Sequence, residues 1–246
     1  MRKNPWNSEA IIHVQIVNKI IMENYINNFL FSYFPHIAFA VFWFGLITRF
    51  IVANKSIQAK STQILAKDGV RTGNNLFHYG IILIFFGHFT LFLPEEIYHL
   101  VMSTETKRII ALILGTTFGV ITFIGMIILL KRRITSERVR FTSNFHDYFI
   151  LTLLMVEAGL GLASIAQTAS TTVAEYASLG IWAQKVITFQ PDAGAVIAGH
   201  SILYKIHFTI GLIIFMIFPY TKLMHILVLP IAYFFRSGYQ LIRKQI

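Results

Sequence analysis

Five runs of the chain stay apolar for about 20 residues each, the length a helix needs to cross the hydrocarbon core of a bilayer. They cover residues 34–53, 75–93, 109–130, 148–166 and 202–235. A water-soluble domain has no room for five such segments. Only 13% of the residues are charged and the mean hydropathy is +0.63, where soluble domains carry about 25% charged residues. The expected fold is therefore all-α, a polytopic membrane protein with five transmembrane helices in a bundle. The fifth run is longer than a bilayer is thick and contains Pro219 and Pro230. Proline removes a helical hydrogen bond and clashes with the preceding turn, so a kink at Pro219 or an exit into the headgroup region is expected.

Charge sets the expected topology, because lysine and arginine collect in the loops that stay in the cytoplasm. The link between the first two runs holds Arg49, Lys55, Lys60, Lys67 and Arg71. That between the third and fourth holds Lys131, Arg132, Arg133, Arg138 and Arg140, and the C-terminal end adds Lys222, Arg236, Arg243 and Lys244. The other side has Lys107, Arg108, Lys185 and Lys205, plus Arg2, Lys3 and Lys19 from the first 21 residues. The pattern predicts a multi-pass protein of the cell (inner) membrane, N-terminus outside and C-terminus cytoplasmic. The net charge of +10 is accordingly read as insertion topology, with lipid as a partner and no nucleic acid. Residues 1–21 hold only short apolar runs, so they are expected to be an extension, with Met22 as an alternative start and 22–246 as the five-helix domain. The absence of Cys excludes disulfides, thiolate-held zinc or iron–sulfur clusters and a cysteine nucleophile.

Polar groups inside a membrane are costly and usually functional, which draws attention to the nine histidines. His13 lies in the N-terminal segment. His36, His99, His146 and His200 sit near expected interfaces or in loops, where a solvated side chain is the simpler reading. His78 and His88 fall within the second run, and His207 and His225 within the fifth. On one continuous helix, His207 and His225 are five turns apart and share a face, spanning about 27 Å. His78 and His88 are separated by about 80° and about 15 Å. The two helices run in opposite directions, so His88 faces His207 near the outer surface and His78 faces His225 near the inner one. An iron–iron distance of about 20 Å reconciles the two spacings. Two stacked imidazole pairs suit two bis-histidine haems; a proton or ion pathway and plain structural hydrogen bonding use the same residues. Gly80, Gly87 and Gly211 lie beside these positions and would let a flat macrocycle approach the helices.

Short segments in order along the chain resemble one family: NLFHYG at 75–80, FGHF at 86–89, LLKRR at 129–133, WAQKVITF at 182–189, KIH at 205–207 and FPYTKLMHI at 218–226. Their spacing is similar to that of the gamma subunit, the membrane cytochrome b subunit, of respiratory nitrate reductase. The resemblance covers roughly residue 22 to the C-terminus; residues 1–21 have no counterpart, and Gln190 stands where some relatives carry a histidine.

The resemblance implies a bundle holding two haems b. His88 and His207 match the ligands of the outer haem iron, and His78 and His225 those of the inner. Lys107, Gly87 and His88 match a quinol site near the outer haem, and Arg133 a haem-propionate contact. It further implies that menaquinol or ubiquinol from the membrane pool is oxidised near the outer face. Electrons then pass inward to an iron–sulfur beta subunit and on to a molybdenum-containing alpha subunit that reduces nitrate, both on the cytoplasmic side. Other readings remain open: a related cytochrome b subunit of a heterodisulfide- or sulfite-type reductase, a proton-coupled transporter with intramembrane histidines, or a haem-free anchor.

Overall fold

The computed structural model describes residues 8–53, 57, 62 and 64–227. Every regular element among them is helical. α1 (Ser8–Asn28) runs through a π-helical turn at Phe29–Tyr33 into α2 (Phe34–Ala53). α3 (Val70–Phe89) ends in a 3-10 turn, Thr90–Phe92, before the short α4 (Glu95–Tyr98). Then come α5 (Thr104–Thr135), α6 (Glu137–Phe141) and α7 (Phe145–Ser170). α8 (Val173–Ile187), α9 (Ala193–Ala198) and α10 (Ile202–Ile217) complete the series. Five stretches are long and apolar enough to cross a membrane: Ile11–Ala53, Val70–Phe92, Thr104–Thr135, Phe145–Ser170 and Ile202–Tyr220.

The helices depart from the apolar runs at their ends. The first does not begin at Phe34, because residues 8–28 are helical and join it through the π turn. α5 has 32 residues, about 48 Å at 1.5 Å per residue, against a hydrocarbon core of about 30 Å. Its polar ends continue the helix past the core, started by the Ser103 side chain, which accepts from the Thr106 N–H at 3.2 Å. The fifth run behaves in the opposite way. α10 stops at Ile217, Pro219 sits in a 3-10 turn (Phe218–Tyr220), and a second 3-10 segment covers Lys222–Leu227. The expected kink is thus a break, and His207 and His225 do not share one continuous helix. Pro230, the rest of that run and the C-terminal tail lie outside the described residues.

α3 packs against α5, α5 against α7, α7 against α10, and α10 against α2. The α3–α5 crossing is built on small residues. A Cβ on Gly125 would lie 2.5 Å from the Phe77 backbone N, and one on Gly80 would lie 2.2 Å from Thr122 Oγ1. Without side chains there, the two backbones touch. Much of the remaining apolar surface is exposed, Phe44, Ile51 and Val52 among it, as suits helices solvated by lipid.

The stretch between the fourth and fifth runs forms a cap on one end of the bundle. α8 starts with a capping box in which Thr172 and Glu175 satisfy each other's backbone N–H. Its Tyr176, Leu179 and Trp182 join Phe31, Ile197 and Tyr204 in a buried core. Trp182 Nε1 donates to Phe31 O at 3.0 Å, at the π turn, and the Gly194 N–H donates to Ser32 Oγ at 2.7 Å. Arg108 closes the end of α7 by donating to Thr168 O, Ala169 O and Thr171 O at 2.8–3.1 Å.

Candidate functional site

α3 presents His78 and His88, ten residues apart on one unbroken helix. The His88 ring faces that of His207 on α10 with centroids 6.1 Å apart. The His78 ring faces that of His225, on the second 3-10 segment, also at 6.1 Å. His78 Nδ1 lies 2.8 Å from Asn74 O and His88 Nδ1 lies 2.8 Å from Ile84 O, each the carbonyl one turn back. A carbonyl only accepts, so Nδ1 carries the proton and the Nε2 lone pair is left for another partner. His225 Nδ1 is held in the same way by Lys222 O. His207 Nδ1 differs: it sits 2.9 Å from Glu157 Oε1.

Both pairs fit a bis-imidazole iron. A metal–imidazole bond is about 2 Å long, which places two ring centroids about 6 Å apart across the metal. α3 and α10 are not among the closely packed helix pairs, and His88 and His207 face each other across the space between them. Among the described residues no cluster of three or more His, Asp or Glu converges on a point. Pairs suit a haem, whose macrocycle supplies the other four iron ligands.

The remaining expected positions fare differently. Gly87 and His88 are exposed, and a Cβ on Gly87 would meet nothing within 4 Å. Gly80, by contrast, serves the crossing with α5, and Gly211 faces Glu157 Oε1, which a Cβ would approach to 3.0 Å. Lys107 is buried; its Nζ donates to Thr90 O at 3.0 Å and lies 3.8 Å from the centre of the Tyr98 ring. The cleft there holds about 20 Å³ and is lined by Leu91, Glu95, Tyr98, Lys107, Tyr176 and Gln184, room for a single water. Burial pushes the Tyr176 phenol up to about 12, so it stays a neutral hydrogen-bond donor. His36 is not a solvated residue: its Nε2 bonds Val186 O at 2.8 Å and its ring stacks on Phe189. His200 bonds Ser178 Oγ at 3.0 Å.

The family model for the nitrate reductase gamma subunit matches residues 27–245. The chain belongs to the nitrate reductase gamma subunit family. It is 36% identical over 226 residues to the respiratory nitrate reductase 2 gamma chain of Escherichia coli (strain K12), covering 91% of this chain and all of the relative. The respiratory nitrate reductase 1 gamma chain of the same strain is 37% identical, over 90% of this chain and 99% of its own. The nitrate reductase gamma chain of Bacillus subtilis (strain 168) is 30% identical, over 88% and 97%. As a member of this family the chain is a membrane-embedded electron-transport subunit of an oxidoreductase complex.

In this gamma subunit Arg133 has a protein partner. Its Nη1 lies 3.1 Å from Asp147 Oδ2 and 3.3 Å from Ser143 Oγ. Lys222 pairs with the other oxygen of the same buried carboxylate. α5, α7 and the segment before His225 are thereby tied together, and the Lys222 carbonyl in turn holds the His225 ring. Asp147→Ala is expected to leave Arg133 and Lys222 without their anion. The expected cost is about 2–3 kcal/mol, below the figure for a fully buried pair because Lys222 is half exposed. His225 should then loosen while His88 and His207 keep their places. Thermal melts, together with separate spectra of the two histidine pairs, check this; equal disturbance of both pairs would contradict it.

Asp147 and Glu157 were not singled out from the sequence. Glu157 carried a signal, since it is the one acidic residue inside the run 148–166. Asp147 carried little, because a carboxylate just before an apolar run reads as an ordinary helix start. It does fill that role as well, in a capping box with Asn144.

Proposed function

We propose that this gamma subunit oxidises quinol near the outer face of the membrane and passes electrons inward through two haems b. His88 and His207 hold the outer haem, His78 and His225 the inner one. The observation that carries the reading is the pair of imidazole couples at the same 6.1 Å separation, with Nδ1 of His78, His88 and His225 held by backbone carbonyls. Bound there, the haems supply one-electron carriers at two levels of the bilayer. In this reading the α8–α9 cap lies on the outer side and the basic end with Arg133 and Lys222 on the cytoplasmic side, an orientation supported by the lysine and arginine bias. On that side the iron–sulfur beta subunit docks and relays electrons to the molybdenum alpha subunit, where nitrate is reduced.

The residues divide the work. His88 and Gly87 lie exposed on α3, so a lipid-dissolved quinol, menaquinol or ubiquinol, reaches them without leaving the bilayer. Lys107 holds Thr90 O, two residues past His88. Its ammonium hydrogen-bonds a quinol oxygen and stabilises the anion left by the first deprotonation. Opening the water-sized cleft beside it requires Lys107 to exchange Thr90 O for the quinol oxygen. Protons released outside while electrons travel inward separate charge, at about 2.3 kcal/mol per charge for every 100 mV.

The deciding experiment is haem content per chain, with a dithionite-reduced minus oxidised spectrum of the membrane complex. Two b haems per chain support the proposal. Absence of haem from properly inserted protein overturns it and moves the intramembrane histidines to a proton-coupled transport role. Lys107→Ala is expected to slow quinol oxidation by about 10-fold to 100-fold with both haems retained. Unchanged quinol kinetics would remove Lys107 from the site.

A further inference from the structure

Three of the four imidazoles rest their Nδ1 on backbone carbonyls, Asn74 O, Ile84 O and Lys222 O. Only His207 rests on a side chain, the carboxylate of Glu157 on α7. A carboxylate in the middle of a transmembrane helix is costly unless it is matched, and the surroundings are shaped for this one. Gly211, one turn past His207 on α10, leaves room for Glu157 Oε1, which a Cβ would crowd to 3.0 Å. Gly161, one turn past Glu157 on α7, opposes the His207 ring, whose Cε1 a Cβ would approach to 3.3 Å. Each helix thus contributes a functional side chain and a glycine four residues on, and the two arrangements interlock. Glu157 Oε2 and His207 Nδ1 are both buried without a hydrogen-bond partner, so the 2.9 Å approach of His207 Nδ1 to Glu157 Oε1 is a close ion-pair contact whose alignment is short of a hydrogen bond.

We infer that Glu157 is a positioning residue for His207: it fixes the tautomer that offers Nε2 to the outer haem iron and makes that imidazole the most electron-rich of the four. The inference rests on the di-haem reading. A carboxylate is a stronger acceptor than a carbonyl, and a ligand made more basic through its distal N–H favours the oxidised metal. A haem held by His207 would thereby have its potential lowered by Glu157.

The test is a potentiometric titration of the b haems in the full membrane complex, for the native chain, Glu157→Gln and Glu157→Leu. The outer signal is identified as the one lost in His207→Ala and the inner as the one lost in His78→Ala. Gln keeps an acceptor oxygen at the same reach, so Glu157→Gln is expected to hold both haems. Its outer potential should shift upward and its inner potential stay put, with a changed low-spin EPR signal from the outer haem alone. Glu157→Leu, which removes the acceptor, should shift the outer potential further or lose that haem selectively. Two haems with unchanged outer potential in both variants would overturn the inference, as would equal shifts in the two haems or loss of both from Glu157→Gln. A native complex without haem would instead overturn the di-haem reading beneath it.

Discussion

If the proposed di-haem function holds, His207→Ala is expected to lower haem content from two per chain to one and to reduce quinol oxidation by about 100-fold or more. Loss of outer-shell support alone already costs about 10-fold to 100-fold at ligated sites, and this substitution removes the ligand itself. His88→Ala should behave the same way, because the two rings form one pair at 6.1 Å. The inner pair is built from separate groups: His78 on its own turn of α3, and His225 on a segment tied down by Lys222 and Asp147. It should therefore keep its spectrum and its folded environment. A reduced minus oxidised spectrum of each variant, read beside quinol-dependent reduction kinetics, checks both halves. Disappearance of both haem signals in either variant would mean that the two sites are not separately built.

Gly125→Leu is expected to damage both sites at once, although Gly125 is not a ligand. Its position faces the backbone of Phe77, the residue before His78, with only 2.5 Å available to a Cβ. A backbone atom cannot rotate aside, so α3 and α5 must separate. Overpacking of a well-filled interface costs about 1–3 kcal/mol, and a whole leucine at a backbone contact should exceed that range. α3 carries one histidine of each pair, so its displacement spoils both. The expected outcome is a joint loss of haem and a lower melting temperature of the membrane-extracted protein. Retention of two haems with native melting would show that the crossing is looser than its geometry indicates. The contrast with His207→Ala separates helix placement from ligation.

The five helices long and apolar enough to span a membrane, and the four histidines whose rings face in two pairs, were legible in the sequence because both signals are local. One is a run of about 20 apolar residues, the other an imidazole inside such a run. What escaped depends on how helices end and on partners distant in the chain. The ends of α5 extend past the apolar run because Ser103 caps it and polar residues can continue a helix outside the hydrocarbon. The α8–α9 cap has no apolar run of spanning length; its burial comes from Phe31, which lies far from it in the chain, and from Tyr204 at the start of α10. The sequence points to a kink at Pro219 or an exit into the headgroup region, whereas the helix breaks after Ile217 and places His225 on a turn rather than five turns further along one face. The proposed pairing of His78 with His225 was thus drawn from a straight helix that the chain does not form. Glu157 stood in plain view inside an apolar run, yet its meaning depends on Nδ1 of a residue 50 positions later.

The unbroken course of α3 has a consequence for timing. His78 and His88 are joined by ten residues of one helix whose rise is set by backbone hydrogen bonds, about 15 Å in all, and small-residue contacts with α5 hold that helix straight. The interval between the two stations is therefore a covalent ruler. Rocking of α10, or play in the turn that carries His225, can tilt a ring without stretching the gap. On the di-haem proposal, a transfer rate that falls steeply with distance would thereby be shielded from such motions. Inserting a single residue between the two histidines would turn one of them by about 100° relative to the other, leaving a ruler of nearly the right length with one ring swung away from its partner.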